Sequence, residues 1–113
     1  MNVFLIAEVK VTDGSWVPGY AANVHKIAEK FGGRYFSRSG NITVLEGPDQ
    51  QATLFAVIQF PSRDALEKFT GSAEYQPYAR ARQAGSISRL TMIDQTDIAG
   101  AIPYLKAGYP GPL

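Results

Sequence analysis

The chain contains no cysteine and a single histidine. The first absence removes disulfides, thiolate nucleophiles, CxxC redox chemistry and cysteine-ligated zinc together. The second excludes any site built from several histidines and leaves Asp and Glu oxygens as the one metal-binding option. No metal and no cofactor is expected. Charge of either sign is also scarce. Eleven Lys and Arg stand against ten Asp and Glu, a net charge of +1. At 19% the charged residues fall below the roughly 25% of an average soluble domain. So even a balance gathers neither nucleic acid nor an anionic membrane, and the low charge content points to a surface partly given over to a partner. Long hydrophobic runs are missing too. The longest, Val3–Ala7 and Leu54–Ile58, are far short of the ~20 residues that span a bilayer. The amino terminus has no basic segment, and Glu8 and Lys10 interrupt any apolar stretch there. The expectation is a cytoplasmic protein without a membrane or nucleic-acid partner.

What is present suits one globular domain: 113 residues, 45% hydrophobic and 12% aromatic. Val3 to Thr12 alternates at period two, with Val3, Leu5, Ala7, Val9 and Val11 on one side. Its other side begins apolar at Phe4 and Ile6 and turns charged at Glu8 and Lys10. Asp13 and Gly14 break the strand, and Pro18 suits a first helical turn. Tyr20, Ala21, Val24, Ile27, Ala28 and Phe31 then recur at helical spacing until Gly32 and Gly33. Two short strands follow, Arg34–Arg38 and Ile42–Glu46, with a turn at Gly40 and a polar loop over Gly47–Gln51. Thr53 to Phe60 repeats the character of the first strand. Ser62 caps a helix that turns Ala65, Leu66 and Phe69 inward, and Gly71 ends it. Short helical pieces run from Ser72 to Ala84, and Ile87–Ile93 is the last strand.

Two strand–helix–strand units therefore interleave into a four-stranded antiparallel sheet with helices on one face and Ile42–Glu46 as an extra short strand. This is an α+β, ferredoxin-like sandwich. The uncovered face carries Phe4, Ile6, Phe55 and Val57, a patch that a second copy of the same sheet would hide. A homodimer is predicted on that ground.

The order F-L-I-A-E-V-K-V-T-D (Phe4–Asp13), G-G-R-Y-F-S-R-S-G (Gly32–Gly40) and V-L-E-G (Val44–Gly47) resembles the family called domain of unknown function 1330. F-P-S-R-D-A (Phe60–Ala65) and S-A-E-Y-Q-P (Ser72–Pro77), with Arg82 and Ala84, fit the same pattern. The resemblance covers Asn2 to Ile93 and implies a dimeric α+β barrel that binds small molecules between helices and sheet. Relatives in that superfamily include cofactor-independent monooxygenases, isomerases and dehydratases. Two features depart from the family: Asp13 leads into Gly14, Ser15 and Trp16 rather than an acidic, proline-led helix start, and Pro48 and Asp49 follow Gly47 where a tryptophan is usual.

Polar residues expected at the pocket are Glu8, Tyr20, Tyr35, Arg38, Glu46 and Gln59. A carboxylate beside a tyrosine can move a proton at carbon, so Glu8 and Glu46 are the catalytic candidates. Arg38 is the candidate anion clamp, with Tyr20, Tyr35 and Gln59 as further substrate-binding groups. The alternative for Glu8 and Arg38 is a structural ion pair at the dimer interface. His25 lies at the margin of the first helix, where a solvated or structural role competes with that of a base or haem ligand. Trp16 and Tyr20 read either as an aromatic wall or as core. Tyr75, Tyr78, Arg80 and Arg82 read as a fold signature, with Arg82 tying its segment to the sheet. No GxGxxG or Walker pattern is present to cradle phosphate, and Arg34–Arg38 does not match an RNA-recognition strand.

The domain is expected over residues 1–93, with 94–113 as a carboxy-terminal extension packing on the domain or the partner subunit. Function is read as a homodimeric small-molecule-binding protein, in one form a cofactor-independent isomerase, monooxygenase or lyase acting on a small organic acid or aromatic metabolite. The alternative is a non-catalytic dimeric module for ligand sensing or assembly.

Overall fold

The computed structural model describes residues 1–96; the expectations for the tail from Asp97 to Leu113 lie outside the described residues. In chain order the elements are β1 (Val3–Val11), a 3-10 turn (Gly14–Trp16), α1 (Val17–Lys30), β2 (Arg34–Ser39), β3 (Leu54–Phe60), α2 (Arg63–Thr70), α3 (Gln76–Ala84) and β4 (Ser86–Asp94). The strands form one antiparallel sheet in the order β2-β3-β1-β4. Each pair of strands consecutive in the chain on either side of a helix is thus separated by another strand, the interleaving expected of two βαβ units. The α+β ferredoxin-like fold predicted from the sequence is the fold observed.

Alternation decides which face is covered. Val3, Leu5, Ala7 and Val9 of β1 and Ala56, Ile58 and Phe60 of β3 are buried against Val24, Ile27 and Ala28 of α1, with Leu66 and Phe69 of α2 and Ala79 of α3 completing the core. Phe60 is fully buried and stacks on Phe69 at 5.4 Å, and Phe69 in turn meets Tyr75 at 4.5 Å. Burying such a ring stabilises the fold by about 1.5–3 kcal/mol. The alternate residues, Phe4, Ile6, Phe55 and Val57, stay partly exposed on the other face.

Local chemistry sets the element ends. The Ser62 hydroxyl accepts the Ala65 N–H at 3.0 Å and caps α2. After α1 the Gly33 N–H donates to Ala28 O at 2.9 Å and the Gly32 N–H to Glu29 O at 3.0 Å. That pair of bonds is a Schellman motif, and Gly32 takes its left-handed position at φ 82.

One predicted element is absent. Ile42–Glu46 forms no strand. A strand needs a ladder partner and a face to bury, whereas Val44 and Leu45 are 41% and 93% exposed. The chain instead turns after β2, with the Asn41 N–H bonded to Ser39 Oγ and the Ile42 N–H to Gly40 O. It rejoins the sheet where the Thr53 N–H donates to Val9 O at 2.8 Å.

Candidate functional site

On the helix side of the sheet the core opens into a chamber of about 260 Å³. Leu5, Ala7 and Val9 of β1 form its floor, and Trp16, Tyr20 and Tyr75 form part of its wall. An apolar cavity of roughly 150 Å³ already holds benzene, so this one has room for a one- or two-ring molecule.

Trp16 is fixed by a backbone device. Its indole N–H donates to Gly85 O at 3.0 Å, and its ring lies so close to Gly85 that a Cβ there would sit 2.3 Å from Trp16 Cδ1. Tyr20 packs edge-on against Trp16 at 5.2 Å and against Tyr75 at 6.3 Å. The Tyr20 and Tyr75 hydroxyls lie 2.9 Å apart. One hydrogen serves that contact, which leaves the other hydroxyl hydrogen free to donate elsewhere.

Electrostatics on the chamber wall are one-sided. Among the described residues it is lined by Arg38 and Arg82 and by no Asp, Glu or His. Arg82 is 4% exposed; its Nη1 donates to Ser88 Oγ, and its Nε is buried without an acceptor. Arg38 stands at an exposed position, with its guanidinium 5.4 Å from the Tyr35 ring centre and Nη1 3.4 Å from Ala21 O. Burial pushes the Tyr35 hydroxyl up to about 12, against the opposing pull of Arg38. Tyr20 is raised further, chiefly by burial and then by Tyr75. Both phenols are therefore neutral hydrogen-bond donors at ordinary pH.

The structure divides the six residues picked from the sequence. Tyr20, Tyr35 and Arg38 meet at the chamber. Tyr35 and Arg38 are three residues apart, and a regular strand would point them to opposite faces. A bulge between Tyr35 and Ser37 restores them to one side, opposite Ile58 and Ala56. Glu8 and Gln59 belong to the opposite, open face. Glu8 is paired there with Arg89 at 2.6 Å rather than with Arg38. Glu46 is exposed in the loop after β2. Neither carboxylate singled out for acid–base work lines the chamber.

Trp16, read from the sequence as either an aromatic wall or core, lies on the chamber wall; sequence reasoning did not place two polar residues there, Tyr75 and Arg82. A signal for the last two existed: Tyr75, Ala79 and Arg82 follow at four and three residues on one helical stripe, and all three are buried. His25 is half-buried with Nδ1 unpartnered, away from the chamber. The described residues contain no group of three or more His, Asp and Glu that could hold a metal ion. None of their helices is long and apolar enough to cross a membrane.

Comparison with known proteins bears on the fold. The family described as Domain of unknown function (DUF1330) matches residues 2–96. No curated protein matches the chain. Among solved structures, the RPA0582 protein of unknown function from Rhodopseudomonas palustris superposes with a TM-score of 0.72 at 18% identity, covering 85% of this chain and 83% of that one. SnoaB, a cofactor-independent oxygenase from Streptomyces nogalater, superposes with a TM-score of 0.60 at 15% identity over 85% of this chain and 94% of its own. Rv0793 from Mycobacterium tuberculosis gives a TM-score of 0.52 at 19% identity over 88% and 99%. At such identities the likeness is one of fold.

Proposed function

The chain belongs to the DUF1330 family, and from that premise we propose that it is a homodimeric small-molecule-binding protein holding one flat organic ligand in the helix-side chamber of each subunit. The observation that carries the reading is the chamber itself: an apolar hollow of about 260 Å³ inside an otherwise packed core, with a few convergent polar groups on its wall. Folded cores are packed to near-crystal density, so a hollow of this size is a feature rather than slack. Its aromatic wall of Trp16 and Tyr20 favours a planar guest, and Tyr35 and Arg38 supply polar contacts.

Chemistry on the guest, of the isomerase, oxygenase or lyase kind, would rest on the neutral phenols Tyr20 and Tyr35 as hydrogen-bond donors to a developing oxyanion. The non-catalytic reading, a ligand-sensing dimer, is favoured by one observation: no carboxylate or imidazole among the described residues lines the chamber to act as a base. Glu8, on the open face with Arg89, then serves the interface between subunits.

A thermal-shift panel of small aromatic acids, phenols and quinones tests the chamber. A ligand at about 100 times its dissociation constant adds roughly 2.7 kcal/mol and moves the midpoint by several degrees. A panel without a single shift overturns the reading. Turnover of a hit without added cofactor decides for the enzyme, and an unchanged hit for the sensing module.

A further inference from the structure

We infer that the chamber is built for an anion: its ligand is a flat monocarboxylic acid whose carboxylate is held by Arg82. This rests on the small-molecule reading above and names the class of molecule that the chamber takes. Arg82 is buried on the chamber wall, and its Nη1 is taken by Ser88, a neutral acceptor. Its Nε meets no acceptor, and no carboxylate among the described residues reaches it as an ion pair. A guanidinium withdrawn from water is unfavourable unless an opposite charge and acceptors replace the water.

With Nη1 occupied, the edge formed by Nε and Nη2 remains. That edge carries two parallel N–H groups at the spacing of the two oxygens of a carboxylate. The described wall offers no acid to meet it; its only other ionisable side chain besides the tyrosines is a second arginine, Arg38. The negative charge comes with the ligand. Tyr20 and Tyr75 line the same wall as Arg82, and the spare hydrogen of their hydroxyl pair is available to the same anion. Arg82 is the one buried cation of the described wall, Arg38 standing exposed to water, so a single negative charge balances it, whereas a phosphate dianion would leave charge against the apolar floor of Leu5, Ala7 and Val9.

Trp16 is the chain's one tryptophan and lines the chamber, so its emission reports occupancy. The full chain is titrated with benzoate and with benzamide, which share ring and shape and differ in charge. Benzoate is expected to bind about 10- to 100-fold more tightly, the difference between a charged and a neutral hydrogen-bonded pair. Arg82→Met is expected to erase that preference while melting no lower than the parent, because an uncompensated buried charge has gone. Should Arg82→Met fail to fold, Arg82→Lys keeps the charge but loses the fork, and unchanged benzoate affinity in it overturns the assignment. Equal binding of the two probes, or a preference that survives Arg82→Met, overturns the anion assignment and leaves the chamber reading standing. If neither probe binds but a neutral member of the thermal-shift panel does, the anion assignment alone fails; if nothing binds, both fail.

Discussion

Tyrosine hydroxyls give the chamber much of its polarity, and their ionisation is coupled to folding. Tyr35 is held at about 12 by burial, and Tyr20 is raised beyond it by burial and by Tyr75. In the unfolded chain both titrate near the ordinary value of about 10. Between those limits the unfolded state loses protons that the native state keeps, so stability falls as pH rises. The contribution is complete below pH ~10 and is lost progressively as pH climbs through Tyr35's folded value. Tyr20 and Tyr35 should stay protonated at pH ~11, and phenolate absorbance should complete only on base unfolding. A titration in which Tyr20 and Tyr35 ionise near the usual phenol value, with the fold intact, would contradict their burial. Legibility differed among these residues for a physical reason. Tyr20 and Tyr35 announce themselves as amphipathic side chains at pocket-facing positions, whereas Arg82 reads as a tie between its segment and the sheet, which its bond to Ser88 of β4 supplies, and its place on the chamber wall shows only in the structure, where it is 4% exposed.

Periodicity reveals an element wherever one of its faces is buried. The alternation of β1 and β3, the Ser62 cap and the Gly32–Gly33 stop all stand in the structure as the sequence implied. Two features escaped because they depend on partners distant in sequence. The bulge in β2 brings Arg38 to the Tyr35 side, and its only cause visible in the chain is pairing with β3. Ile42–Glu46 has strand-like composition, but propensity describes how a residue suits a half-buried sheet, and no sheet edge receives this one. The seam between the 3-10 turn and the end of α3 is the element-scale feature with the sharpest consequence. Trp16 lies against Gly85, and the Thr12 and Asp13 N–H groups also donate to Gly85 O, at 2.9 and 3.0 Å. Gly85→Ala would drive a methyl into Trp16 and to 2.8 Å from Asp13 O. Overpacking of this kind costs about 1–3 kcal/mol. Calorimetry should show a midpoint lowered by several degrees, and Trp16 emission should move to the red as the indole leaves the chamber wall. An unchanged midpoint and spectrum would mean that Trp16 is not held there.

At the scale of the whole molecule, the same strand presents two unlike faces of the sheet. The helix-side residues of β1 floor the chamber; its other side presents Phe4 and Ile6 beside Phe55 and Val57. Ile87, Ile93 and Phe36 extend that patch at 67%, 51% and 51% exposure. A contiguous apolar face of this kind is unusual on a monomer, and a self-complementary copy about a two-fold axis covers it without leaving an open surface. Light scattering at micromolar concentration should therefore return twice the 12.3 kDa of one chain. Val57 pairs with Ile6 in register near the middle of the face, so Val57→Lys places a charge where the second copy would have to desolvate it. The variant should run as a monomer, and a parent chain that is already monomeric would end the dimer proposal. The two faces are coupled through the backbone of β1: Ile6 packs outward between Leu5 and Ala7, which line the chamber. Loss of the partner should therefore loosen the chamber floor and weaken ligand binding in Val57→Lys even though no chamber residue has changed. Dissociation without any loss of affinity would show instead that each subunit's chamber stands alone.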